Sequence, residues 1–326
     1  MNTYAQPLNP QAQRAHEWRN TLHTWLMIIG SAALMAVIAW LIFGATGIVW
    51  AALLTGFGLW QASHVSPKMV LKLYKARPLG ETHVPQLHRL VRELTARADL
   101  PTVPQLYYVP SKLMNAFAVG KPEDSAIAVT DGLIRNLTLR QLGGVLAHEI
   151  SHIRNGDLKV MALADTLSRL TGSMSTFGLL LGLPATFLAG GGAYAWAALG
   201  FVVAAPTIGG LLQLALSRTR EYDADLDAAG LTGDPEGLAS ALQTLAQKQG
   251  NMWEKIMLPG ARIPDPSLLR SHPKTEDRVA RLLSLRTSAR PVIEVVDDGE
   301  PHRPGQSIVP PVRNPRIHVS RFGLWY

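Results

Sequence analysis

The chain has 326 residues, of which 47% are apolar, with no cysteine and a formal net charge of +7. The lack of cysteine excludes a disulfide framework and a thiolate metal site, so any metal must be held by histidine and carboxylate side chains. The positive charge is not accompanied by a basic stripe with interleaved aromatic residues or by a recognition motif, so we expect no nucleic-acid partner.

Residues 24–63 form the first of two long segments that contain no Asp, Glu, Lys or Arg. Each segment is about twice as long as the roughly 20 residues that one bilayer crossing needs. A turn at residues 44–47 would divide the first into two spans, which predicts a transmembrane hairpin over residues 21–63 after a cytoplasmic lead, residues 1–20. A cleaved signal peptide is disfavoured, because its apolar core has only about 7–15 residues. A hairpin in a soluble core is the other alternative.

Residues 64–169 have the composition of a soluble domain. Apolar residues recur on one helical face within residues 82–98, and residues 105–109 read as a strand. Two apolar runs around a turn at residues 120–124 predict a β-hairpin. Metallopeptidases commonly bind an extended substrate along an edge strand at this point in the chain. The candidate substrate-binding residues are Asn115, Ala116, Phe117 and Ala118, and a purely structural pairing remains the alternative.

The motif His148-Glu149-Ile150-Ser151-His152 follows this hairpin. Thr138 and Gln141 form a capping-box signal that starts a helix, and Asn155-Gly156 offers a stop. Two histidines four residues apart lie on the same helix face, so both imidazoles can reach one Zn²⁺. Glu149 can then accept a proton from a water that the metal polarises. The alternative is a surface helix whose His and Glu side chains are solvated.

The second uncharged segment, residues 170–217, contains a Gly190-Gly191-Gly192 turn. It is richer in Gly, Ala, Ser and Thr than the first, which suits close helix packing. It predicts a second transmembrane hairpin, and a hairpin packed on protein or at the membrane surface is the alternative. Lys and Arg residues lie at the ends of both segments, as on the cytoplasmic side of membrane proteins. They are Arg14, Arg19, Lys68, Lys72, Lys75, Arg77, Lys159, Arg169, Arg218 and Arg220.

Glu221 and Asp225 follow the second segment and lie one helical turn apart. A catalytic zinc held by two histidines takes a third protein ligand, often a glutamate from another helix. Glu221 is the candidate ligand, and Asp225 the candidate partner for the outer N–H of a ligand histidine. The alternative is a solvated acidic helix face. Further helices are expected from Asp234 to Gly250 and after residues 271–275, and residues 291–326 read as a proline-rich tail.

The sequence resembles the HtpX family of membrane zinc endopeptidases, which are relatives of the CAAX prenyl proteases. The matching stretches are residues 115–118, the extended motif of residues 148–157, residues 217–225 and residues 271–275, in the family's order. The resemblance covers about residues 20–285 and leaves the tail unmatched. It implies one Zn²⁺ per chain, held by His148, His152 and Glu221. It also implies Glu149 as the general base, and His272 near the scissile carbonyl oxygen, although a histidine before proline at a helix start is more often a local cap.

The predicted fold is mainly α with a small β-sheet, in an integral membrane protein with two transmembrane helical hairpins and a cytoplasmic gluzincin-type zinc peptidase domain. That domain would comprise residues 64–169 and 218–290. The resemblance implies cleavage of membrane proteins or unfolded polypeptides, in quality control and the stress response. We expect a multi-pass protein of the inner membrane, with the active site and both termini in the cytoplasm. The rival is a membrane scaffold or chaperone-like binder whose zinc is structural, disfavoured because no fourth protein ligand is adjacent.

Overall fold

The structure is a computed structural model that describes residues 10–63, 67–188, 190–256 and 275–285. Most of these residues are helical, and the strands form one small sheet. The helices are α1 (Pro10–Ser63), α2 (Pro67–Leu73), α3 (Pro85–Arg97), α4 (Asp131–Asn136), α5 (Leu139–Arg154), α6 (Asp157–Leu188), α7 (Ala193–Thr232), α8 (Pro235–Ile256) and α9 (Thr275–Ser284). The strands are β1 (Arg77–Pro78), β2 (Gln105–Val109), β3 (Ala116–Lys121) and β4 (Asp124–Thr130).

The chain divides into two compact units. Among the described residues, the first comprises residues 10, 67–158, 221–256 and 275–285, and the second comprises residues 11–63, 159–188 and 190–220. The first unit contains the sheet and the whole of α5, and the second contains the longest apolar helical stretches.

The sheet of the first unit is mixed, with strand order β1-β2-β4-β3. Strand β2 runs parallel to β4, whereas β1 and β3 pair in the antiparallel sense with β2 and β4. The predicted strand at residues 105–109 and the predicted hairpin are therefore confirmed. The topology leaves β3 at one edge of this sheet.

Alternation along β4 distributes its side chains between two apolar clusters. Ile127 and Val129 are buried against α3, α5 and α8 in the main core, whereas Ala126 and Ala128 pack with Leu71 of α2 on the other face. Strand β4 is buried on both faces, which explains its nearly continuous apolar sequence. The sheet thus lies between α2 and the layer that contains α5.

Helix α5 begins and ends where its sequence signals predict. The Thr138 Oγ1 accepts the N–H of Gln141, and the Gln141 side chain accepts the N–H of Thr138, at 3.3 and 3.0 Å. Asn155 caps the carboxyl end, and Gly156 follows with φ +67°, a left-handed conformation that glycine adopts without strain. The chain turns at Gly156 so that α6 can begin at Asp157.

Two boundaries differ from the sequence-based expectation. Helix α3 starts at Pro85 rather than at residue 82, because proline is well suited to the first helical position. Helix α8 continues through Gly250 to Ile256, beyond the predicted end. One glycine in a helix costs only about 1 kcal/mol relative to alanine, so it does not by itself end a helix.

Helix α1 of the second unit is interrupted at a single residue. Gly44 has φ 65° and ψ −153°, and no longer turn separates the two arms. The Thr55 hydroxyl donates to the Met35 Sδ at 3.4 Å, so residues 20 apart in sequence lie side by side. The arms therefore run back along one another, reversed at one glycine rather than over the predicted residues 44–47.

In the part of the chain that the structure describes, three helical stretches are long and apolar enough to cross a membrane: Thr21–Gly58, Asp157–Leu188 and Ala193–Thr232. Gly190, at φ +67°, lies between the second and third of these, within the predicted glycine turn. Many of their large apolar side chains are exposed, including Trp50, Phe57, Leu180, Leu181 and Phe187. Such apolar surfaces are rare on proteins surrounded by water and are expected for helices surrounded by lipid.

Candidate metal centre

Helix α5 presents His148 and His152 to the same site. Their Nε2 atoms lie 3.2 Å apart, and both side chains are buried. Four residues span slightly more than one helical turn, so the rings lie one above the other on one face. The alternative of solvated histidines is excluded by their burial.

Glu221, from α7, completes a group of three ligand atoms that lie within 4.8 Å of one another. Its Oε2 is 3.4 Å from His148 Nε2, and its Oε1 is 3.8 Å from His152 Nε2. Glu221 is only 2% exposed, which rules out a solvated acidic helix face. Two imidazole nitrogens and one carboxylate are a donor set that suits zinc, so these residues fit the metal that the sequence predicts.

Each histidine of this group also contacts a second carboxylate through its other nitrogen. Asp225 Oδ1 lies 3.0 Å from His148 Nδ1, and Asp157 Oδ2 lies 2.8 Å from His152 Nδ1. A carboxylate at Nδ1 orients the ring and leaves Nε2 free to bind a metal. The sequence predicts such a role for Asp225. It gives no such signal for Asp157, which reaches His152 only because the chain turns at Gly156.

Arg278, on α9, is a further member of the site that the sequence analysis missed. Its guanidinium donates two hydrogen bonds to Asp225, at 2.7 and 2.6 Å, and lies 3.1 Å from Glu221 Oε2. Arg278 is buried, and these contacts raise its pKa although burial acts in the opposite direction. Nothing in the local pattern of α9 distinguishes Arg278 from Arg281 on the same helix, so its role is visible only in the folded chain.

The acidic groups favour positive charge at this site. Burial disfavours the charged imidazole of His148, but contacts with Asp225 and Glu221 outweigh burial and raise its pKa to about 10. The same carboxylates that stabilise a proton on His148 would stabilise a metal cation in its place.

Glu149 faces β3. Its Oε2 accepts a hydrogen bond from the Ala118 amide at 3.0 Å. Burial raises the pKa of Glu149, and the neighbouring His148 and His152 oppose this rise. A carboxyl group whose pKa is raised is better able to accept and return a proton near neutral pH.

The predicted substrate-binding residues lie at the sheet edge. Ala116, Phe117 and Ala118 belong to β3, and Asn115 immediately precedes it, with its amide donating to Thr130 Oγ1 at 2.9 Å. His272, the predicted group near the scissile carbonyl, lies outside the described residues.

Comparison with known proteins identifies the family. The model of peptidase family M48 matches residues 81–286, which include all the residues of the site. The chain belongs to peptidase family M48. It is 35% identical over 291 residues to "Protease HtpX homolog" of Burkholderia thailandensis, and 34% identical over 291 residues to the protein of that name in Burkholderia mallei. Each alignment covers 83% of this chain and 99% of the relative.

A structural likeness is also found to the crystal structure of S. mikatae Ste24p. It has a TM-score of 0.46 at 18% sequence identity, and covers 82% of this chain and 66% of that one, so the chain spans slightly under two thirds of its length.

Membership of family M48 establishes this protein as a metalloprotease. Peptidases of this family depend on a metal ion, and the cluster of His148, His152 and Glu221 could bind one. The three apolar helical stretches agree with the prediction of an integral membrane protein. The family that the sequence resembles and the predicted enzyme class are both confirmed. This disfavours the alternative of a membrane scaffold or chaperone-like binder with a structural zinc.

Proposed function

We propose that this M48 peptidase is a zinc-dependent endopeptidase that hydrolyses membrane proteins, in particular misfolded or damaged ones, at the cytoplasmic face of the membrane. The observation that carries the proposal is the convergence of His148, His152 and Glu221, with Glu149 beside them at the edge of a sheet. The carboxylate partners of the two histidines would hold their rings in the orientation that metal binding needs.

In this proposal His148, His152 and Glu221 hold one zinc ion per chain. When bound, zinc polarises a peptide carbonyl and lowers the pKa of a water molecule. Glu149 accepts the proton of the attacking water and then donates it to the leaving amine. Asp225 and Asp157 orient the histidine ligands, and Arg278 fixes Asp225 and Glu221. His272 would approach the carbonyl oxygen of the substrate, as the family resemblance implies.

The substrate in this proposal is an extended polypeptide. Strand β3 lies at one edge of the sheet, so its backbone groups that face away from β4 are not paired within this sheet and could pair with an added strand. Recognition through backbone groups is largely independent of side-chain sequence. It therefore suits a peptidase that removes unfolded or damaged chains in quality control and under stress.

The proposed topology is two transmembrane hairpins, with the site and both termini in the cytoplasm of the inner membrane. The contact between His148 and Glu221 supports it, because the chain between them, which includes α6 and most of α7, must return to the side from which it left. An even number of crossings follows, and the intervening length allows two crossings of roughly 20 residues. The Lys and Arg residues that flank the apolar segments are consistent with a cytoplasmic location.

The test is Glu149→Gln in the full-length protein, purified in detergent. Metal analysis should find one zinc per chain in the wild type and in the variant, since all three ligands remain. Cleavage of casein or of a membrane-protein substrate should fall by roughly 10²–10⁴-fold, because the proton acceptor is lost.

Glu93→Gln is the matched control, because Glu93 is half exposed on α3 and pairs only with Arg97 among the contacts described. Its cleavage rate and zinc content should equal those of the wild type. Wild-type cleavage by Glu149→Gln would contradict the proposed chemistry, and absence of zinc from active wild-type protein would contradict the proposed metal.

A further inference from the structure

The backbone of β3 alternates between groups that face β4 and groups that face away from it. Thr130 donates its amide to the Asn115 carbonyl at 3.0 Å, so this pair is hydrogen-bonded across the two strands. In an antiparallel ladder the hydrogen-bonded positions alternate, so residues 117, 119 and 121 also face β4. The N–H and C=O groups of Ala116, Ala118 and Gly120 therefore point to the open side of the sheet.

One of these outward-facing groups, the Ala118 amide, already donates a hydrogen bond within the protein. Glu149 Oε2 accepts the Ala118 amide at 3.0 Å, in the position that the carbonyl oxygen of an added strand would occupy. The general base of the proposed reaction is thus bonded to the same amide that an extended substrate would pair with.

We propose that the Ala118 amide sets the minimum length of a substrate. A substrate must supply a backbone carbonyl to this amide before Glu149 is released to act on water. This inference rests on the proposed peptidase function. The Ala118 amide binds the substrate backbone and thereby controls the position of Glu149, but it takes no part in the bond changes of the reaction.

Because the Ala118 amide is buried, a substrate carbonyl must replace the Glu149 carboxylate as its hydrogen-bond acceptor when Glu149 moves away. Ala118 is 6% exposed, so its N–H has little access to bulk water. A buried amide without an acceptor is unfavourable, and Glu149 leaves it readily only if another acceptor replaces the carboxylate. The carbonyl of a paired substrate provides that acceptor. A substrate too short to reach Ala118 leaves Glu149 in place, so the loss should appear in kcat and not only in KM.

The kinetic test uses one peptide that the wild type cleaves, together with two truncated forms, each shortened on one side of the cleaved bond. In the wild type, one truncation should lower kcat by roughly 10–100-fold, as expected for a buried amide that loses its acceptor. Ala118→Pro removes the amide at an edge position, where proline is tolerated. In this variant the same truncation should change kcat by less than roughly 3-fold.

Ala118→Gly is the matched control, since it keeps the backbone amide at the same position and removes only the methyl group. It should retain the wild-type dependence of kcat on peptide length. A length dependence of wild-type size in Ala118→Pro would overturn the inference while leaving the peptidase function intact. If the wild type cleaves no peptide or protein at all, the proposed function itself fails.

A second measurement needs neither activity nor metal. Residue-resolved hydrogen exchange on the metal-free full-length protein compares wild type with Glu149→Ala. Exchange at the Ala118 amide should become at least roughly 10-fold faster in the variant, whereas exchange at the Val119 amide, which faces β4, should not change. Equal exchange at Ala118 in both proteins would overturn the inference, because no bond to Glu149 would then exist to be exchanged.

Discussion

The unit that contains the two arms of α1 exposes large apolar side chains, whereas the unit that contains α5 buries charged ones. Leu181 and Phe187 are 58% and 67% exposed, but Glu221 and Asp225 are 2% and 4% exposed. Both patterns reverse what is usual in water-soluble proteins. Exposed apolar helices are stable when lipid surrounds them, and buried acids are stable when cations face them. The exposed apolar side chains therefore indicate a lipid environment for one unit, and the buried acidic side chains indicate a cation site in the other.

The largest effect is expected from removing the buried cation. Arg278→Met leaves Asp225 and Glu221 without the guanidinium that contacts both, and the free energy of unfolding should fall by about 3–5 kcal/mol. Denaturant unfolding of the metal-free protein in detergent measures this. Arg278→Lys keeps the charge without the bidentate geometry and should lose less. A variant with methionine that is as stable as the wild type would mean that these acids are not charged when buried.

The next effect tests the exposed apolar surface. Leu181→Arg places a charge within α6 and should oppose membrane insertion by about 2.5–3.5 kcal/mol if this helix crosses a bilayer. Leu181→Ala is the control and should insert almost normally. Extraction of membranes at alkaline pH separates inserted from released protein. Full insertion of the arginine variant would argue that α6 is covered by protein or lies at the membrane surface.

A smaller effect concerns the carboxylates behind the histidines. Asp157→Ala removes the partner of His152 Nδ1 and should weaken zinc binding by roughly 10–100-fold, as measured by competition with a chelator. Asp227→Ala is the control, because Asp227 bonds Asn155 rather than a histidine of the site and should leave zinc affinity unchanged. Equal affinity of all three proteins would show that the turn at Gly156 serves only the fold.

The smallest effect is a pH dependence remote from the metal. Burial raises the pKa of Asp234, but hydrogen bonds from Arg140 and from the Gly237 amide outweigh burial and hold this pKa below its ordinary value. A carboxyl group with a lowered pKa stabilises the folded state above its unfolded pKa, near 4, and loses this contribution as the pH falls further.

Because Arg140 is half exposed, we expect the Asp234 contribution to be about 1 kcal/mol or less. The difference in unfolding free energy between wild type and Asp234→Asn should be present at pH 7 and should decrease below about pH 4. A difference that grows on acidification would contradict the lowered pKa.

Several elements were predictable because their signals are local. Each of these signals involves residues that are close together in the sequence. They are the capping box at Thr138, the helical spacing of His148 and His152, and the long uncharged segments around the glycine turns. Where local signals were weak, the predictions were less accurate. Helix α8 passes through Gly250, and the reversal of α1 uses Gly44 alone, since a single glycine is compatible with either outcome.

The sequence by itself determined the chemistry that this protein can perform: histidine and carboxylate ligands without thiolates, a glutamate beside them, and helices long enough for a bilayer. Only the tertiary structure decided which acids and which cation surround the ligands. Asp157 reaches His152 through a turn at Gly156, Arg278 arrives from the last described helix, and the Ala118 amide faces Glu149 because of strand register. These contacts join residues whose identities carry no local signal, because one arginine on an amphipathic helix or one outward amide of a strand becomes functional only through what packs against it.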